Sequence, residues 1–189
     1  MMTKQHLQPL FEQALDDAGQ HVVRAAGADL TLPTPCAAWD LGALLGHMIG
    51  QNVGFAAAVR DGDAPSSAYA PPALDADTVL PAWHRSSRAL RDAFRAAEDD
   101  RTLRLAEFDR QVSVPVALGM QIVDCAVHAW DVATALGAEY RPAEPVVSAV
   151  LASARLIAAR PGGTPGVFAP AREEVSGDPW TSALRLLGR

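Results

Sequence analysis

The chain is poor in cysteine, in aromatic residues and in positive charge. Its two cysteines, Cys36 and Cys125, fit a reducing compartment. Neither lies in a Cys-x-x-Cys pair, which excludes a cysteine-based zinc ribbon. Lysine is scarce beside arginine, and 22 acidic residues against 16 basic ones give a formal net charge of −6. A nucleic-acid partner therefore gets no support, because phosphate binding needs a basic patch. Long hydrophobic runs are missing as well. No stretch reads as the roughly 20 apolar residues of a membrane helix, and the N-terminal MMTKQHLQPLFEQALDDAG is too polar for a signal-peptide core. A cytoplasmic protein with no membrane partner is expected. What is present is a globular composition, 49% hydrophobic and 20% charged, over 189 residues. That suits one domain, 1–189, with a single sizeable core.

Helical periodicity dominates. Leu7, Leu10, Phe11, Leu15 and Val22 mark a first helix over 4–26. TLPTPCAAWD follows as a loop that ends in a helix start. Asp40 is the expected N-cap, and Trp39 with Leu44 forms the pattern of a hydrophobic staple, so a second helix is predicted over 41–60. DGDAPSSAYAPP reads as a loop. Val79, Trp83, Leu90 and Phe94 mark a third helix over 75–98. The alternation in TLRLAEFDRQVSVP, 102–115, predicts a small β-hairpin. A fourth helix spans 117–137 with Gly137 past its end, a fifth 143–159 stops before Pro161, RPGGTPG is a loop, and a short helix over 179–187 closes the chain. The fold class expected is all-α, a four-helix bundle with a hairpin and a short C-terminal helix.

Within the apolar fourth helix, DCAVHAWD places Asp124, His128 and Asp131 at i, i+4 and i+7, on one stripe. A second inward histidine, His47, sits among Leu44, Leu45, Met48 and Ile49. Taken alone, His47 reads as a satisfied core histidine. Taken with Asp124 and His128, it completes a three-ligand set drawn from facing helices, the way metal sites are built in bundles. Three protein ligands leave a position for water or substrate. Mixed nitrogen and oxygen donors suit zinc first, with nickel, iron or manganese also admitted. Asp131 is assigned to orienting an imidazole from behind, or to a structural ion pair, in preference to direct ligation. Without a metal the same residues would form a buried hydrogen-bonded triad.

Other residues get plainer roles. Cys36 and Cys125 are expected to be packed, inert thiols. His6, His21 and His84 lie on polar-rich helices and are expected to be exposed, and Trp83 and Trp180 are core or capping aromatics. Arg60, Glu107 and Asp109 are candidates for the mouth of a site, without a spacing argument for any of them. No residue identifies itself as a general acid or base.

TPCAAWDLGALLGHMIG (34–50) resembles the opening motif of the actinobacterial mycothiol-dependent maleylpyruvate isomerase N-terminal domains and their DinB-like relatives. DCAVHAWDVATALG (124–137) is similar to that family's second motif, and DPWTSALRLLGR (178–189) to its closing run. The resemblance implies a DinB-like four-helix bundle binding a divalent metal, typically zinc, with His47, Asp124 and His128 at the ligand positions. It matches Trp39, Asp40, Trp130 and Asp131 to motif positions. One departure stands out. The family's usual acid is glutamate, and Asp124 is one methylene shorter, about 1.5 Å of reach. The characterised isomerases also carry a further C-terminal domain that helps form the active site. The chain is expected not to contain it, so isomerase activity itself is not carried over.

Two functions follow from the resemblance. One is a metal-dependent isomerase or transferase that uses a small-molecule thiol, mycothiol in the family, on an electrophilic small molecule. The other is a non-catalytic metal-binding or dimeric bundle, with a homodimer expected through helix faces.

Overall fold

The computed structural model describes residues 3–160, 168–175 and 177–189. The chain divides into two compact units, Met1–Tyr140 and Arg141–Arg189. In the first lie α1 (Lys4–Ala25), α2 (Leu41–Asp61), α3 (Val79–Ala96), the strands β1 (Thr102–Leu105) and β2 (Arg110–Ser113), and α4 (Val114–Ala135). In the second lie α5 (Glu144–Ala158) and α6 (Pro179–Leu186), packed on each other. The four helices of the first unit make a bundle, in which α1 packs on α3 and α4, and α2 packs on α3 and α4.

The local reasons for these elements are those written in the sequence. Asp40 caps α2, its Oδ1 accepting from the Ala43 N–H at 2.8 Å, an interaction that stabilises by about 1 kcal/mol. Gly137, at φ +68, ends α4 in the left-handed conformation. The N–H groups of Gly137 and Ala138 return to the carbonyls of Thr134 and Ala133 and satisfy the last turn. The hairpin forms in register Thr102↔Ser113 to Leu105↔Arg110. A short 3-10 turn at Ala106–Phe108 connects its strands, with Asp109 held at φ +43.

Some boundaries move. Residues 75–78 form a turn in which Asp75 accepts from Thr78, so α3 begins at Val79. Helix α4 begins at Val114, three residues before the expected start, because Pro115 falls in the first turn, where its missing N–H costs nothing. A further 3-10 turn, Ser66–Tyr69, lies inside the expected loop. The glycines of α2 explain its place: a methyl at Gly54 would run into the Tyr69 ring and one at Gly50 into the Tyr69 carbonyl. The loop expected at RPGGTPG, 160–166, falls outside the described residues from 161 on.

Two expectations need correction. Val114–Ala135 is, by length and composition alone, apolar enough to cross a membrane. Most of it is buried inside the protein, as befits the core helix of a bundle. His21 is buried, not exposed. Tyr140, from the segment after α4, folds back over it with ring centroids 4.7 Å apart.

The direction of α2 and α4 matters for the site. The Arg104 N–H donates to the Gly62 carbonyl just past the end of α2, and the Val114 N–H at the start of α4 donates to the Arg101 carbonyl. One end of each helix is thus tied to the β1 segment, and the two run antiparallel. His47, early in α2, is thereby brought level with the later turns of α4.

Candidate metal centre

Three side chains predicted from the sequence meet between α2 and α4. Asp124 Oδ1 stands 3.7 Å from His47 Nε2 and 3.5 Å from His128 Nε2. One donor atom from each of the three lies within 4.8 Å of the others. Tetrahedral zinc with bonds of roughly 2.0–2.1 Å holds its donors about 3.3 Å apart. The two separations from Asp124 are close to that value, and its carboxylate lies beside both imidazoles.

Behind the trio, the side chain of Asp131 is fully buried and accepts from His128 Nδ1 at 2.9 Å. That bond holds a proton on Nδ1 and turns Nε2 toward Asp124. The helical spacing requires the arrangement: residues three and four apart share a face, so one stripe of α4 presents an acid on either side of one imidazole. Solvent access is graded across the cluster. The side chains of His47 and Asp124 keep 25% and 23% of their surface, while His128 keeps 8%. The cluster therefore opens toward His47 and Asp124 and is closed behind His128.

The electrostatics follow from this layout. Burial alone would lower the His128 pKa, but Asp124, then Asp131 and Cys36, raise it to about 10. Burial pushes the Asp124 carboxyl up, and the neighbouring His128 and His47 outweigh it and hold it below the ordinary aspartate value. In the absence of a metal the site thus retains a proton as its cation.

Two contributors were not legible in the sequence. Cys36, expected to be merely packed, donates its thiol to Asp131 Oδ2 at 3.2 Å. Trp39, expected to staple the start of α2 through Leu44, lays its ring on His47 with centroids 4.5 Å apart, and 6.1 Å from that of His128. Both sit on the 33–40 loop, closed by an antiparallel bridge between Pro33 and Asp40. Cys125 is buried as expected, and burial raises its pKa well above the ordinary thiol value. Of the three candidates for the mouth, Arg60 pairs with Asp61 and Asp109 with Arg104. Glu107 accepts from Gln51 Nε2 at 3.0 and 2.9 Å, one turn along α2 from His47.

A bundle with two histidines and an acid converging between its second and fourth helices is of the DinB-like class. Residues 11–133 match the mycothiol maleylpyruvate isomerase N-terminal domain, and the chain belongs to that family. Among solved structures it is similar to the crystal structure of the mycothiol-dependent maleylpyruvate isomerase, with a TM-score of 0.60 and 15% sequence identity over 82% of this chain and 72% of that one. A histidine-to-alanine mutant of the isomerase matches with the same values. At that identity the likeness speaks for the fold. No curated protein matches the chain.

Proposed function

We propose that the protein is a divalent-metal-dependent enzyme that uses a small-molecule thiol, mycothiol in the relatives, to isomerise or transfer to an electrophilic small molecule. The observation that carries the metal assignment is the convergence of His47 Nε2 and His128 Nε2 on Asp124 Oδ1, at 3.7 and 3.5 Å. The donor set fits the group: two imidazole nitrogens and one carboxylate, with a hydrogen-bonded acid fixing the tautomer of one imidazole. Zinc is the metal this set favours. The thiol-dependent chemistry rests on membership of the family.

A bound metal would lower the pKa of a thiol at the remaining position and hold it as thiolate. The chain's own residues supply the rest. Asp131 keeps the Nδ1 proton of His128 in place, so the ligand face of the ring is fixed before anything binds. Trp39 lies against one side of the His47 ring. The half-open side at His47 and Asp124 is where a thiol and its substrate would enter. The contrary reading, a bundle without catalysis, draws in part on the short side chain of Asp124, and the donor spacing above weighs against that part.

Metal analysis of tag-free protein, beside a His47→Ala/His128→Ala variant, tests the assignment. About one equivalent in the wild type and none in the variant is expected. Equal content in both would overturn it. For the chemistry, zinc-loaded protein is incubated with mycothiol and an electrophile such as maleylpyruvate. Turnover of the electrophile above the metal-free control is expected, and its absence would count against an enzyme of this kind.

A further inference from the structure

Cys36 stands beside the cluster, and the metal reading gives it no role. It is 95 positions away from Asp131 in the chain, yet its Sγ donates to Asp131 Oδ2 at 3.2 Å. The same oxygen accepts the Nδ1 proton of His128 at 2.9 Å. Thiol, carboxylate and imidazole therefore form one chain of hydrogen bonds that ends at the Nε2 facing Asp124. A thiol is a weak donor, but here it acts on an oxygen with no access to water.

The backbone around Cys36 is also braced. Thr34 Oγ1 accepts from the Cys36 N–H at 3.1 Å and donates to the Trp39 carbonyl at 2.8 Å. The Trp39 N–H donates to the Cys36 carbonyl at 2.8 Å. Where Cys36 sits therefore sets where Trp39 sits, and the Trp39 ring lies on His47. One residue is connected to both histidines, to His128 through Asp131 and to His47 through Trp39.

Cys36, His128 and Asp131 also offer donor atoms within 4.8 Å of one another and could in principle hold a soft metal themselves. The geometry disfavours it. The separations are those of hydrogen bonds, Asp131 is sealed from solvent, and a metal there would take Nδ1 of the imidazole whose Nε2 already faces Asp124.

We propose that Cys36 is a positioning residue for the metal-binding histidines: its thiol, held against Asp131, fixes the His128 imidazole, and its backbone carries Trp39 onto His47. This rests on the metal reading above, and the experiment separates the two. Zinc affinity is measured by chelator competition for the wild type and for Cys36→Ala, Cys36→Val and Cys36→Ser, each first checked for a native circular dichroism spectrum. Cys36→Val keeps most of the side-chain volume and removes the donor, so it serves where the alanine variant does not fold. Loss of the donor is expected to raise the zinc Kd by about tenfold, at the low end for an outer-sphere partner, and serine to return it to within about threefold of wild type. The cobalt(II) form of the wild type is expected to show no thiolate-to-metal charge-transfer band.

An unchanged Kd in Cys36→Ala and Cys36→Val overturns this proposal and leaves the metal reading intact. So does failure of serine to rescue, which would make the effect one of packing. A thiolate band in the cobalt form would make Cys36 a ligand and overturn the positioning role. A wild type that binds no zinc overturns both proposals together.

Discussion

Two buried histidines of the bundle, His128 on α4 and His21 on α1, have similar surroundings by composition and opposite chemistry. Each is at least nine-tenths buried and has an aspartate and an aromatic ring nearby. At His21 the carboxylate of Asp17 accepts from the Tyr140 hydroxyl at 3.0 Å, and His21 Nδ1 is left without a partner. Burial, helped by Arg24, therefore lowers its pKa and keeps the ring neutral. At His128 two carboxylates address the ring itself, one at each nitrogen, and its pKa rises to about 10. The difference teaches that burial of a histidine does not make a site. The direction in which the neighbouring acids point does.

The largest test of this contrast is removal of the two imidazoles that face Asp124. His47→Ala/His128→Ala should weaken zinc binding by more than the roughly 100-fold at the upper end for an outer partner, read by chelator competition. Asp131→Asn should come next, with affinity lower by about 10–100-fold, since the amide no longer fixes the Nδ1 proton. An unchanged affinity would make Asp131 a structural acid only.

The two histidines should also give opposite pH slopes to the stability of metal-free protein. The folded-state pKa of His128 lies above the ordinary 6.5, so its contribution is full below pH 6.5 and is lost as pH rises toward about 10. His21 is shifted below 6.5, so its contribution is present above that value and is lost as pH falls through the lowered pKa. Denaturant midpoints across pH 5–10 should show both limbs. Zinc should flatten the alkaline one, because the metal takes the place of the proton. The smallest effect is expected of His21→Phe, which removes a partnerless buried nitrogen and keeps a ring against Tyr140. Stability should change by about 1 kcal/mol or less in chemical denaturation, with zinc affinity unaltered and the acid limb reduced.

The parts of the molecule that were legible in the sequence are those governed by short-range rules. The cap at Asp40, the glycine end of α4, the hairpin and the stripe Asp124–His128–Asp131 all depend on residues a few positions apart, whose relation is set by helix or turn geometry. Antiparallel packing of neighbouring helices then brings His47 to that stripe. What could not be read depends on contacts between distant segments. Nothing local announces that Cys36 meets Asp131, that the Trp39 ring turns onto His47, or that Tyr140 covers His21. The polarity of α1 around His21 in fact suggested the opposite. The signal for the loop residues was their presence in one motif, TPCAAWD, which marked the segment without saying which atoms it would touch.

The most direct test of the central assignment is anomalous diffraction at the zinc edge from crystals of the zinc-loaded protein. A single strong peak about 2.0–2.2 Å from His47 Nε2, His128 Nε2 and an Asp124 carboxylate oxygen is expected. A peak on Cys36 and Asp131 instead, or no peak between α2 and α4, would contradict it.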